Sequence, residues 1–486
     1  MRSIKKNVYK GFFWSFIESA SSQIIGFICT IILARMLFPA DFGLIGMTVI
    51  ITALAQALVD SGFSQALIRK QNCNEIDYNT VFFTNIVIGI FLYLFIFLIS
   101  PIIASFFHRP ELIEIIRVIS IVIPVNSFGL IQRTLLTKDL NFKSQSYVTL
   151  IGVSIAFTSA LLLAYAGYGV WSLVFRGIIQ QLVIALLLWK FSTWRPSLIF
   201  SFKSVKNLFR FGSKLMIIAS ISVVFRNILN VLIGKIYNAY TLGLYSNADQ
   251  MSGLPSGTIT TMYNKVAYPV LVTMQNDNNQ LKTTLKKINQ PLILFSFTLM
   301  LFMIAIADSI IPLLLGNKWI MIVPYFKILC IGYMAPILHT YNQIILNVKG
   351  RSDYFLYTEI LKYILFIPVL LLGIKYGIYG FLIGFSIHYW VGFLVNAIYS
   401  KRLINYSIVE QIIDFIKPLL FALIVFIATY YIQKPIENIS ILLRLIIQIV
   451  CGSLTVVLLL RFKIFFSMTD YITTLKNLIL KKKVED

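Results

Sequence analysis

What most restricts this chain is a succession of apolar stretches, each about twenty residues long, separated by short polar turns and nearly free of charge inside. Wound as a helix, a stretch of that length matches the ~30 Å hydrocarbon core of a bilayer. Such stretches fall near 11–34, 42–60, 79–99, 113–131, 147–166, 168–189, 213–234, 242–264, 290–307, 325–347, 354–373, 377–399, 416–432 and 441–460. Of the 486 residues, 58% are hydrophobic and only 13% are charged, against about 25% charged in an ordinary soluble domain. Fourteen spans use almost all of that apolar material. Too little is left for a soluble catalytic domain of roughly 100 residues, an extracytoplasmic receptor domain or a long disordered tail. The fold class that follows is an all-α polytopic membrane protein of about fourteen transmembrane helices.

Charge supplies the topology. The 42 Lys and Arg against 19 Asp and Glu leave a net +23. In a soluble protein that surplus would suggest nucleic acid, but in a polytopic membrane protein the positive-inside rule produces it, so nucleic-acid binding is the weaker reading. With the N-terminus inside, the cytoplasmic segments collect Arg2, Lys5, Lys6 and Lys10, then Arg69 and Lys70, then Arg133, Lys138 and Lys143. The later ones collect the group from Lys190 to Arg210, then Lys282, Lys286 and Lys287, Lys349 and Arg351, Lys401 and Arg402, and the basic tail. The outer loops hold only Arg35, Arg109, Lys235, Lys318, Lys375 and Lys434. This asymmetry predicts an even number of crossings and two cytoplasmic termini. The start, Met1-Arg-Ser-Ile-Lys-Lys, is similar to a signal peptide's charged region. With no small-residue cleavage site after a short apolar core, it reads as the head of an uncleaved first span. Cys29, Cys73, Cys330 and Cys451 are far apart and read as small hydrophobes rather than a disulfide or metal framework.

The spans repeat. Ile32-Leu-Ala-Arg-Met-Leu-Phe-Pro-Ala-Asp-Phe-Gly-Leu-Ile recurs as Leu232-Ile-Gly-Lys-Ile-Tyr-Asn-Ala-Tyr-Thr-Leu-Gly-Leu-Tyr, which aligns Arg35 with Lys235 and Gly43 with Gly243. Gly167-Tyr-Gly-Val-Trp likewise matches Lys375-Tyr-Gly-Ile-Tyr and aligns Gly169 with Gly377. Both offsets are close to 200 residues, or six helices. An even offset makes a parallel repeat about an axis along the membrane normal, with a central cavity expected between the halves. The expected organisation is a six-helix lobe over 1–203, a second over 204–403, and two further helices with a basic tail over 404–486.

Against this apolar background the polar residues within spans are informative. Thr48, Thr52, Gln56 and Asp60 form one stripe, and Ser15, Ser19, Ser22 and Gly26 form another, flanked by Glu18 and Gln23. Helix-packing contacts account for the serines, whereas Glu18 lies about 10 Å into its span and is harder to explain that way. The eighth span, Asn247 to Asn264, carries amides, hydroxyls, glycines and Pro255. The alternatives are a loop or a helix beside the cavity. The repeat and the charge parity favour the helix, with Asn247 and Gln250 on the cavity and with Gly253, Pro255 and Gly257 as places for a bend. Among the intramembrane cations, Lys327 and Arg117 lie near span ends and can snorkel, and Lys362 has Glu359 one helical turn away. Arg176 and Arg226 lie deeper without such a neighbour and are the better candidates for receiving an anionic group. Arg117, Gln56 and Gln343 are further candidate lining residues. Asp249 either pairs with an arginine or carries a proton.

The chain has no Gly-x-x-x-x-Gly-Lys-Ser/Thr loop, no His-Glu-x-x-His and no Gly-x-Ser-x-Gly elbow. His108, His339 and His388 are too scattered to be read as a metal site, and His339, on one face with Gln343, reads as a hydrogen-bonded pore or packing residue. Short outer loops count against a polymerase or ligase. The expectation is a protein that is not an enzyme and holds no cofactor or metal.

Three segments carry a family resemblance. Gly11-Phe-Phe-Trp with Gln23, the stretch from Ile32 to Met47, and Asp60-Ser-Gly-Phe-Ser-Gln-Ala-Leu-Ile-Arg-Lys together resemble the Wzx-type polysaccharide flippases, most of all the colanic-acid-exporter-like branch. Ile131-Gln-Arg-Thr-Leu-Leu-Thr-Lys-Asp-Leu-Asn-Phe-Lys and Gly167-Tyr-Gly-Val-Trp-Ser-Leu are similar to that branch's next signatures, and the likeness is sharpest over 8–175. The resemblance implies the multidrug/oligosaccharidyl-lipid/polysaccharide exporter superfamily: two six-helix lobes in a V, plus two helices. It implies passage of an undecaprenyl-diphosphate-linked oligosaccharide across the bacterial inner membrane by alternating access, for O-antigen, capsule or exopolysaccharide. It also implies a polymerase and glycosyltransferases as pathway partners and, in some members, a proton or sodium gradient as the drive, for which Glu18, Asp60 and Asp249 are candidates. A cationic cavity at Arg176 and Arg226 suits a diphosphate independently of the family. A small-cation or drug exporter, a polymerase or ligase, and a non-transporting scaffold are the rival expectations.

Overall fold

The structure is a computed structural model that describes residues 2–70, 72–436 and 438–462. The basic tail beyond Phe462, and the side chains of Arg2, Lys5, Lys6, Lys10 and Ser15, lie outside the described residues. Among the described residues all regular structure is helical. By contacts the chain divides into two compact units, Met1–Ser246 and Asn247–Asp486.

The first unit holds α1 (Arg2–Met36), α2 (Pro39–Asp60), α3 (Phe63–Arg69), α4 (Glu75–Phe107), α5 (Leu112–Ile119), α6 (Val122–Lys138), α7 (Phe142–Tyr165), α8 (Val170–Phe191) and α9 (Phe202–Ile236). α7 packs along α8 and α1, α6 lies against α4 and α8, and α9 runs beside α2. The division falls within α10 (Ala239–Val272), later than the 203/204 repeat boundary, because α9 packs on α2, α3 and α4. A repeat boundary marks sequence symmetry and a compact unit marks packing, so the two differ wherever a helix packs across the repeat.

Local sequence sets the helix ends. Pro39 starts α2 with its φ already helical, and the Asp41 carboxylate accepts from the Phe38 N–H at 2.9 Å. α4 begins on a reciprocal cap, in which Asn74 Oδ1 accepts from the Asp77 N–H at 3.0 Å and Asp77 Oδ2 accepts from the Asn74 N–H at 3.2 Å. The 192–201 connection is tied to the same place: Ser197 N–H donates to Asn79 Oδ1 at 2.6 Å, Ser201 N–H to Thr80 Oγ1 at 3.1 Å, and the Ser204 hydroxyl to Asp77. Outward, Val87, Phe91, Leu94, Leu98 and Ile102 form an exposed stripe along α4. In water such a face would be a liability, and in hydrocarbon it costs nothing.

The second unit continues α10 and adds α11 (Asn278–Leu315), α12 (Ile322–Gly332), α13 (Ala335–Val348), α14 (Ser352–Ile364), α15 (Ile367–Ile404), α16 (Ile408–Tyr431) and α17 (Ile441–Arg461). α13 and α12 pack on α15, while α16 lies along α11 and carries α17 against it. The final pair is therefore joined to its unit. Lys282 reaches Glu410 at 2.7 Å, Lys286 reaches Asp414 at 3.0 Å, and the Tyr406 hydroxyl donates to Asp414 Oδ2 at 2.7 Å. Deeper down, Gln411 Oε1 accepts from Asn342 at 2.9 Å and from the Tyr341 hydroxyl at 3.1 Å.

The aligned glycines of both repeats occupy matching structural positions. A Cβ on Gly43 would lie 1.7 Å from the Ala239 carbonyl oxygen, and one on Gly243 would lie 1.7 Å from that of Pro39. Residues 39 and 43 thus cross 243 and 239 reciprocally, at a distance only two glycines allow. Gly169 (φ 53°, ψ −128°) and Gly377 (φ 72°, ψ −158°) share a backbone conformation closed to other residues, and each sits at a helix break.

Among the described residues, twelve helices are long and apolar enough to cross a membrane, not fourteen. Two of the expected spans account for the difference. α10 is a single unbroken helix through Gly253, Pro255 and Gly257, but its amides and hydroxyls keep it below that apolarity. The Asp353–Ile404 run counts once although its 52 residues would be about 78 Å long as one helix. It contains both the 354–373 and the 377–399 stretches, with breaks after Ile364 and at Gly377.

Candidate functional site

The polar residues expected at depth divide between the units. In the first unit α2's hydroxyls are used locally: Thr48 Oγ1 donates to the Ile45 carbonyl at 2.8 Å and Thr52 Oγ1 to the Val49 carbonyl at 3.1 Å. Asp60, at the end of the stripe, accepts from the Ser64 hydroxyl and its N–H, which holds the Ser61–Gly62 turn into α3. Gln56, between them, is half-buried and makes no hydrogen bond among the described residues. Glu18 faces α7, accepting from Thr149 Oγ1 at 2.7 Å and from Ser146 Oγ at 3.5 Å. That pairing explains a carboxylate at this depth through bonds its own helix could not reveal.

The three arginines of this unit differ. Arg117 on α5 lies 4.3 Å over the Phe97 ring, and its Nε donates to Ser100 Oγ at 3.0 Å, so it fastens α5 to α4. Arg176 on α8 is half-buried, lies about 10 Å along from Gly169, and is within electrostatic reach of Cys29 on α1. It makes no hydrogen bond or ion pair among the described residues, and neither does Arg226, which is exposed on α9 about 16 Å from Tyr237. Both guanidiniums lie in long apolar helices without a hydrogen bond or ion pair among the described residues.

In the second unit, Asp249 of α10 accepts from the Tyr333 hydroxyl at 2.7 Å, and Ser256 Oγ donates to the Tyr333 carbonyl at 2.9 Å. Gly253 gives the Tyr333 ring its place, since a Cβ there would lie 2.9 Å from the ring. Asn247 is buried and Gln250 exposed on the same helix. Gln343 donates to Glu359 Oε1 at 2.9 Å, and Lys362 pairs with the same oxygen at 2.5 Å. The local Glu359–Lys362 pair was legible at its spacing. The contact of Lys362 with His339 Nε2 at 2.9 Å was not, because it joins different helices. Lys327 pairs with Asp308 at 2.7 Å instead of merely snorkelling. Tyr333 was missed, since only packing brings its hydroxyl to Asp249.

Long apolar helices, a repeat built on matched glycines and isolated polar groups at depth define a multi-pass membrane protein with a transporter fold. The chain belongs to the polysaccharide biosynthesis protein family, whose model matches residues 32–324. It is 26% identical over 361 residues to the teichuronic acid biosynthesis protein TuaB of Bacillus subtilis, covering 74% of this chain and 75% of that one. It is 25% identical over 405 residues to the lipopolysaccharide biosynthesis protein WzxC of Escherichia coli, covering 82% and 81%. Among solved structures, the lipid II flippase MurJ in an inward closed conformation superposes with a TM-score of 0.72 at 15% identity, over 93% of this chain and 100% of that one. That likeness establishes the fold.

Proposed function

We propose that this protein is a flippase that carries undecaprenyl-diphosphate-linked oligosaccharide repeat units across the bacterial inner membrane for surface polysaccharide assembly. Both termini lie in the cytoplasm, an ion gradient drives alternating access, and the pathway's glycosyltransferases and polymerase act before and after it. The chain is a transporter in this reading and not an enzyme.

The observation that carries the proposal is Arg176, a half-buried cation within an apolar span that has no internal hydrogen bond or ion pair among the described residues. A charge at that depth costs roughly 2.5–3.5 kcal/mol on insertion scales, and an incoming diphosphate offsets this through charge-assisted, bidentate hydrogen bonds. Membership of the polysaccharide biosynthesis family and the MurJ-like fold support the same substrate class.

The test is the fate of lipid-linked repeat units in cells lacking the gene. Accumulation on the inner leaflet, relieved by the wild-type gene, is the expected result. Single repeats displayed on the outer face would indicate a polymerase and overturn the proposal.

A further inference from the structure

The second unit contains a charged cluster that the diphosphate-binding role does not use. Lys362 on α14 is only 7% exposed. Its Nζ lies 2.5 Å from Glu359 Oε1 and 2.9 Å from His339 Nε2 of α13. Gln343, one turn along α13, donates to the same carboxylate oxygen at 2.9 Å. α15 completes the enclosure with His388 and Gly392. A Cβ on Gly392 would lie 3.4 Å from Lys362 Cδ and 3.5 Å from His339 Cδ2, so the glycine gives both side chains room.

Counted from the basic turn at Lys349 and Arg351, the cluster lies deep within its spans. Lys362 stands eleven residues beyond Arg351 and His339 ten before Lys349, each about 15–16 Å along its helix. A buried ammonium there requires its carboxylate, but the pair alone does not require an imidazole. Intramembrane chains of carboxylates and histidines mark proton relays in pumps and transporters.

The protonation state follows from donor chemistry. An ammonium has only N–H donors, so His339 Nε2 is the acceptor, and this imidazole is neutral with its proton on Nδ1. The charges acting on His339 are Lys362 of α14 and His388 of α15. From α11 and α12, which also pack on α13, Asp308 and Lys327 pair with each other.

We propose that His339, Lys362 and Glu359 form a proton-binding site whose cation is built in: the lysine ammonium occupies the carboxylate, and the imidazole takes the transported proton. A hydronium gives its proton to His339 Nε2, an N–H bond forms, water departs, and the Nζ–H···Nε2 hydrogen bond breaks because both partners are now donors. That bond is one of two polar ties between α13 and α14, the other being Gln343 to Glu359, so uptake of one proton loosens the contact between the two helices. The site supplies the coupling ion for the transport reaction proposed above and depends on that reading for its purpose, though not for its chemistry.

The experiment measures pH-jump charge movement on solid-supported membranes carrying the full chain without substrate, in a His108→Gln background that removes the one histidine outside the cluster. A step from pH 7.5 to 6 is expected to move charge, at least fivefold less in His339→Gln and unchanged in Asp139→Asn, a change at an exposed carboxylate. In Lys362→Met the charge moved should reach half its maximum at a pH about one unit higher, because the ammonium opposing His339 protonation is gone; a purely structural lysine would leave that midpoint in place. Infrared difference spectra of the His108→Gln protein across the same step should show the bands of a titrating imidazole. Full-size charge movement in His339→Gln, an unmoved midpoint in Lys362→Met, or a spectrum without imidazole bands overturns the proposal. Failure of the protein to restore polysaccharide export while the charge movement persists would count against the flippase reading and leave this site standing.

Discussion

Arg117 and Arg176 have the same side chain on neighbouring parts of one unit, yet their surroundings give them opposite expected behaviour. Arg117 is engaged by the Phe97 ring and by Ser100, so Arg117→Ala should destabilise the purified protein by about 1–2 kcal/mol, read as a lower thermal midpoint in detergent. Arg176 has no hydrogen bond or ion pair to lose, so Arg176→Ala should leave that midpoint within experimental error while lowering polysaccharide export at least tenfold. Arg176→Lys should recover only part of that export, because an ammonium cannot make the bidentate contact of a guanidinium. From sequence both stood out as charges in apolar runs, and the difference between them was invisible because it depends on what the adjacent helix presents. The same holds for Glu18. Its depth was readable by counting residues, but Thr149 and Ser146 became its partners only when α7 was placed beside α1. Where the partner lay one turn away on the same helix, as for Glu359 and Lys362, sequence spacing was enough.

At the scale of elements, the repeat was the most legible feature, because glycine marks backbone demands that no other residue meets. The pairing of Gly43 with Gly243 placed two helix starts in equivalent roles, and each glycine lies against the backbone of the other's helix start. Backbone, unlike a flexible side chain, has nowhere to go. Gly43→Ala or Gly243→Ala should therefore cut the yield of folded protein several-fold, and the double variant should be scarcely worse than either alone, since both disrupt one contact. Gly257 has nothing within 4 Å of its Cβ direction, so Gly257→Ala should fold at the wild-type yield. Fluorescence-detected size-exclusion profiles of the four variants would check the series. What the sequence concealed at this scale was the attachment of the final helix pair. Lys282 and Lys286 lie more than a hundred residues from Glu410 and Asp414, and only the packing of α16 along α11 makes them one network.

For the whole molecule the open quantity is the number of crossings, and it turns on α10. Length and apolarity identify twelve helices among the described residues, with α10 excluded and the Asp353–Ile404 run counted once. Hydropathy undervalues a helix when some of its polar groups are satisfied within the protein. In α10, Asp249 is bonded to Tyr333, Ser256 to the Tyr333 carbonyl, and Ser252 and Thr260 to carbonyls of their own helix. Its 34 residues make a rod of about 51 Å, ample for a ~30 Å core. α10 is therefore expected to cross, which puts its two flanking turns on opposite sides of the membrane. In a variant lacking Cys29, Cys73, Cys330 and Cys451, a single cysteine at Asn238 should react with an impermeant maleimide in intact spheroplasts. One at Asn276 should react only after the membrane is opened. Equal labelling of both from outside would mean that α10 does not cross, which would break the charge parity and the even repeat offset on which the two-lobed topology depends.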